Sequence, residues 1–186
     1  MLQLENKNPY SKSEILASMD DINQKVKSFY REISPELFFH DGLGGWSPAQ
    51  NLSHLGDIAK GGVLLLQLPK FLFLIFGKRE SQRDFKTLQT DYIGSDKSIY
   101  LGPLVPASIP PKDYKKQIAD LMTKWDKVCT ELKEVVQSIP EEDYDKYSMP
   151  HPTMGMLSLR EVLYLIIIHP IHHSYKVEQK ISARKG

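Results

Sequence analysis

The stretch "YKKQIADLMTKWDKVCTELKEVVQSI", residues 114–139, places Tyr114, Ile118, Leu121, Trp125, Val128, Leu132, Val135 and Ile139 at alternating steps of four and three. That spacing keeps all eight on one stripe of a helix, the pattern of a helix packed at a shallow angle against its neighbours in a bundle. Ile15, Met19, Ile22, Val26, Phe29 and Ile33 repeat it near the N-terminus. The two seams predict helices over 12–34 and 112–139.

Start signals locate the remaining helices. "SPAQ" (Ser47–Gln50) and "SLRE" (Ser158–Glu161) each fit a capping box, in which a serine hydroxyl and a Glu or Gln side chain satisfy each other's free backbone N–H groups. "SKSE" (Ser11–Glu14) is a third, and Pro48 suits the first helical position, where no N–H is needed. Helices over 48–77 and 159–182 follow, the former with an expected bend at Gly61 and Gly62 or at Pro69. No alternating apolar and polar run, and no Asn-Gly or Asp-Gly pair set between two such runs, predicts a sheet. The expected fold class is all-α, a four-helix bundle. About a dozen residues join helices one and two, whereas residues 79–111, ending in "LGPLVPASIPP", separate helices two and three. A connection of that length fits a long crossover between parallel helices.

At 186 residues and 41% hydrophobic content, the chain suits a single domain over 1–186. A net charge of +1 gives no field to attract nucleic acid. The lone cysteine, Cys129, has no internal disulfide partner, sits in an apolar helical register and fits a reducing, cytoplasmic compartment. The N-terminus shows no basic start and apolar run of a signal peptide. "GGVLLLQLPKFLFLIFG" (61–77) is broken by Gln67, Pro69 and Lys70 and falls short of the roughly 20 residues of a membrane span. A buried helix or a subunit interface is the expected reading. The excess of large apolar residues from Val63 to Phe76 favours a homodimer.

The last helix contains "LIIIHPIHHSYKVEQ" (165–179). His169 and His173 stand four residues apart, so their rings leave the same helical face one turn apart and can share a metal. His54, about two turns into helix two, reaches a compatible depth if helices two and four run antiparallel. By spacing alone a hydrogen-bonded structural role is the commoner one for such a pair. The glutamate of H-E-x-x-H is absent, which excludes a thermolysin-like site. Pro170 deletes a helical hydrogen bond and predicts a kink that either turns His169 toward the bundle axis or is an accommodated irregularity. His172, about 100° around the helix, is read as a surface or interface histidine. His151 and His40 lie in connections, and Trp46 reads as an apolar anchor at the entrance to helix two.

"GWSPAQNLSHL" and "HPTMGMLSLREVLYLIIIHPIHHSYKVEQ" resemble the DinB-like (YfiT-type) four-helix bundles over nearly the whole chain. The first resembles the family's Trp-Ser/Thr entry to helix two and its first histidine, here His54. The second resembles its closing H-x-x-x-H pair, here His169 and His173. The resemblance implies an up-down-down-up bundle, frequently a homodimer, with a divalent metal on these three histidines. It also implies activities that vary among members: transferases using low-molecular-weight thiols, isomerases, hydrolases, and members with no known activity. Lys176, where Gln is frequent, and Pro170 depart from the pattern.

Three neutral imidazoles leave a coordination position open, as catalytic metal sites do. Zinc and nickel both suit imidazole. The expected function is a metal-dependent transferase or hydrolase acting on a small molecule, the alternative being a non-catalytic metal-binding or stress-associated dimer. Asp57, three residues after His54, and Glu178 are the available candidates for a base, and neither is assigned.

Overall fold

In the computed structural model, described here for residues 2–40, 45–77, 82–94, 106–110 and 112–185, the protein is mostly helical. The helices are α1 (Lys12–Arg31), α2 (Pro35–Phe38), α3 (Pro48–Leu66), α4 (Phe85–Gly94), α5 (Tyr114–Ser138) and α6 (Leu159–Lys185). All three predicted capping boxes form: Ser11 with Glu14, Ser47 with Gln50, and Ser158 with Glu161. Helix α1 stops short of residue 34 because Ser34 caps the short α2, with Pro35 as its first residue.

Four long helices form the bundle, and their cross-links fix the directions. Asp20 and Lys27 of α1 pair with Lys133 and Asp126 of α5, at 2.6 and 2.7 Å, so these helices are antiparallel. Asn51 of α3 bonds His173 of α6, while Gly62 lies against Ile166, so these two are antiparallel as well. Arg160, at the start of α6, bonds the carbonyl of Tyr10 just before α1, and Ser174 lies by the Tyr30 phenol near the end of α1. Helices α1 and α6 therefore run the same way, which gives the up-down-down-up order. The α1 and α5 seams turn inward, with Ile15, Ile22, Val26, Trp125, Val128 and Leu132 all buried, whereas Tyr114 is exposed and Val136 is buried in place of the expected Val135. Helix α6 differs, because Leu163, Tyr164, Ile167, Ile168 and Ile171 are buried around much of its circumference. It packs against α1, α3 and α4, so it has no single solvent face.

Three expectations require correction. The second helix does not continue to residue 77: α3 runs straight past Gly61 and Gly62, ends at Leu66, and is followed after Pro69 by a 3-10 segment, Lys70–Phe76, bent by 95°. Proline cannot extend the ladder, so the turn falls there. Phe73 tucks in beside Tyr147 and Lys70 pairs with Asp143. A small sheet also exists, with strands β1 (Ser148–His151) and β2 (Gly155–Ser158) pairing antiparallel. Its register is Ser148 with Ser158, and Gly155 supplies a positive φ of 73° where the second strand begins. Four-residue strands carry too few positions for alternation to show. Finally, the connection between α3 and α5 carries a helix that the sequence reading did not place, α4, which packs on α6 through Phe85 and Tyr164. Residues 78–81, 95–105 and 111 of the expected crossover lie outside the described residues. Among the described residues, no single helix is long and apolar enough to cross a membrane.

Gly61 is exposed in the interior of α3, with open space where a Cβ would stand. Gly61→Ala should raise stability by about 0.5–1 kcal/mol in denaturant unfolding, since glycine loses more backbone freedom in a helix than alanine.

Candidate metal centre

His54 lies two turns into α3, on the face that α6 covers, and is buried. His169 and His173 face it from α6, with His173 also buried. The ring centroids are 5.2 Å apart for His54 and His169, 4.8 Å for His54 and His173, and 4.5 Å for His169 and His173. Each ring offers one nitrogen to a cluster whose members all lie within 4.8 Å of one another. Capping and antiparallel packing thus bring the three predicted histidines together.

Hydrogen bonds fix which nitrogens face inward. The Asn51 amide nitrogen donates to the carbonyls of Trp46 and Ser47 at 3.2 and 3.0 Å, so its oxygen is the atom turned to His173. That oxygen stands 2.8 Å from His173 Nδ1 and can only accept, which puts the proton on Nδ1 and leaves the Nε2 lone pair free. On His169, Nδ1 stands 2.6 Å from the Tyr92 hydroxyl, and Nε2 lies 3.1 Å from Nε2 of His54. Two imidazole nitrogens on one tetrahedral ion, each at about 2.0–2.1 Å, sit roughly 3.3–3.4 Å apart, so the observed separation is close to that of a shared ion.

Burial acts in the same direction. It holds His169 and His173 well below the ordinary imidazole range; His54, His172, His151 and Lys176 lower His169 further, and His169, His54, His172 and Lys176 lower His173. Neutral rings with lone pairs converging on one point can hold one divalent ion. Tyr92, pushed up to about 12 by burial, keeps its phenol proton and serves His169 as a neutral partner.

Trp46 does more than anchor the helix entrance. Its indole stacks on His173 at 5.9 Å and 8° and also contacts His54 at 4.9 Å, covering that side of the cluster. His172, expected at the surface or an interface, is half-buried and packs edge-on to Tyr92 at 5.4 Å, and burial lowers it to about 4. His151 stands at the end of β1, where its Nδ1 accepts from the Thr153 and Met154 backbone N–H groups, and it is close enough to lower His169. His40 follows α2, and its backbone N–H donates to Leu37. Asp57 is exposed and Glu178 half-buried, and neither joins the cluster, which contains histidines only. Asn51 and Tyr92 escaped the sequence reading. Asn51 sits three residues before His54 on the same helical face, and Phe85, Leu88 and Tyr92 follow helical steps within the connection.

A mostly helical up-down-down-up bundle whose second and last helices converge three imidazoles defines the class. A profile of the DinB superfamily matches residues 31–175, and the chain belongs to that superfamily. Among solved structures it is similar to YfiT from Bacillus subtilis, described as a probable metal-dependent hydrolase with an unusual four-helix bundle topology. The TM-score is 0.58 at 14% identity, covering 100% of this chain and 94% of that one. Among curated proteins none matches the chain.

Cys129 is outside this centre, half-buried against the core, and burial beside Asp126 pushes its thiol up to about 12. At pH 8 it stays protonated. Alkylation by iodoacetamide should therefore be on the order of a thousandfold slower in the native protein than in the unfolded chain, whose thiol titrates near about 8.5. Equal rates would show the thiol to be available.

Proposed function

We propose that the protein holds one divalent metal ion, zinc or nickel, through His54, His169 and His173, and uses it to hydrolyse a small molecule or to transfer a low-molecular-weight thiol to it. The observation that supports this most is the convergence of three ring nitrogens, from the buried His54 and His173 and the half-buried His169, with Asn51 and Tyr92 holding the outer nitrogens of His173 and His169. Such outer partners fix the ring orientation and tautomer of histidine ligands. An ion bound by three imidazoles supplies Lewis acidity at an open coordination position, which makes water or a thiol nucleophilic at neutral pH.

The chain's own contributions are binding, orientation and exclusion of water. Asn51 keeps the proton of His173 on Nδ1, and Trp46 shields that ring and His54 from solvent. Tyr92 accepts from His169 Nδ1 when Nε2 carries the lone pair. The protonated, half-buried Cys129 does not provide the thiol, so the transfer reading needs a thiol from outside the chain. The YfiT description supports the hydrolytic reading. A reducing, cytoplasmic setting accords with the lone cysteine.

Metal content, read by elemental analysis, should be near one ion per chain in the wild type and fall sharply in His169→Ala and His173→Ala, while His172→Ala keeps it. Asn51→Leu should weaken metal affinity by about 10- to 100-fold. Full occupancy in the His169 and His173 variants would remove the assignment. A turnover screen of the loaded protein with ester and amide substrates, and with thiols plus electrophiles, then separates hydrolysis from transfer; a loaded protein inactive in both favours the non-catalytic dimer.

We also propose a homodimer through the outer face of the bend. Val63, Leu66 and Phe73 pack inward, whereas Leu64, Phe71, Leu74 and Ile75 are 60%, 65%, 60% and 77% exposed. An apolar patch of this kind is a usual mark of an association surface. Light scattering at high micromolar concentration should give a dimer, and Ile75→Glu should shift it to monomer; a wild-type monomer would contradict the proposal.

A further inference from the structure

The four long helices line a half-open cavity of about 220 Å³ beside the metal centre, with His169 and Pro170 in its wall. Most of its lining is apolar, including Met19, Leu55, Ala59, Leu132 and Ile167. Two polar atoms in residues that line it are anomalous. Trp125 Nε1 and Asn23 Oδ1 are buried and have no hydrogen-bond partner among the described residues. The Asn23 amide nitrogen donates to the Asp126 carboxylate at 3.4 Å, which can only accept, so the unpaired atom of Asn23 is its carbonyl oxygen. The cavity's residues thus offer one orphan donor and one orphan acceptor, each of which costs stability while unmade.

The wall has one polar side. Between α1 and α5, Asp20 pairs with Lys133 and Lys27 with Asp126, two bridges seven residues apart on each helix. At about 1.5 Å per residue they bracket a slot roughly 10 Å long. Asn23, Cys129 and Thr130 lie between them. Every charged side chain at this slot already has its counter-charge, so nothing there compensates a buried ion.

We propose that this cavity is a binding site for a small uncharged molecule carrying an amide group on a compact apolar body, entering between α1 and α5. The indole N–H of Trp125 donates to the ligand carbonyl, the Asn23 oxygen accepts from the ligand N–H, and the aliphatic wall takes the apolar body. A cavity of about 150 Å³ accommodates benzene, so this one scales to about nine heavy atoms, the size of benzamide. The site uses no metal and stands independently of the function proposed above.

Benzamide is therefore the probe. The chain has two tryptophans, so the indole region of a ¹⁵N-correlated spectrum holds two signals, assigned by Trp125→Phe. Titration with benzamide to low millimolar concentration should shift the Trp125 signal saturably and leave Trp46 in place. Toluene, which lacks both polar partners, and benzoate, which lacks the N–H and carries a charge, should bind at least about tenfold more weakly. Ala59→Leu, which fills the cavity with an apolar side chain, should abolish the shift, and Asn23→Leu, on the α1 surface, should weaken it by about tenfold. No saturable shift, equal binding of toluene, or a shift that survives Ala59→Leu would each overturn the proposal.

Discussion

An imidazole buried among other imidazoles cannot take up a proton without placing charge in a medium that solvates it poorly. That constraint organises this protein. His169 and His173 are held well below their ordinary range first by burial and then by neighbouring charges, His54 foremost for His169 and His169 foremost for His173. Three rings kept neutral in one place must point their lone pairs somewhere. Asn51 and Tyr92 bond the outer nitrogens of two of them, so the remaining nitrogens turn toward each other, 3.1 Å apart for His54 and His169. Lone pairs meeting without a proton or cation between them repel, and a divalent ion bound by the three neutral rings would relieve that repulsion.

The bundle supplies the rigidity such a cluster needs. Helix α6 is buried on several sides, by α1, α3 and α4, so its register cannot slip without exposing Leu163, Ile167 or Ile171. Helix α3 starts at a buried capping box, which sets the depth of Asn51 and His54 together. Helix α4 then closes over α6 and delivers Tyr92, while Trp46 covers the other side from the chain entering α3. The same packing leaves the central cavity behind His169. Metal centre and cavity are two sides of one wall.

Much of this was legible in the sequence where physics is local. The seams of α1 and α5 repeat at steps of four and three because each helix has one buried stripe, and the structure ends both within three residues of the predicted boundaries. Capping boxes marked the starts of α3 and α6, and the four-residue spacing of His169 and His173 placed their rings together. Tertiary features were less legible. Pro69 ends α3, yet the following apolar residues read as more helix until the 95° bend is seen. Strands of four residues are too short for a period of two to register, which hid β1 and β2. Asn51 and Tyr92 are polar residues whose partners lie 122 and 77 positions away, so a local pattern can place them on a helical face but cannot reveal what they bond.

X-ray absorption at the zinc or nickel edge of the loaded protein tests the central claim most directly, because it counts and identifies the atoms around the ion. The account predicts one ion per chain with three imidazole nitrogens at about 2.0–2.1 Å for zinc and no sulfur in the first shell. Fewer than three imidazoles, or a sulfur ligand at about 2.3 Å, would contradict it.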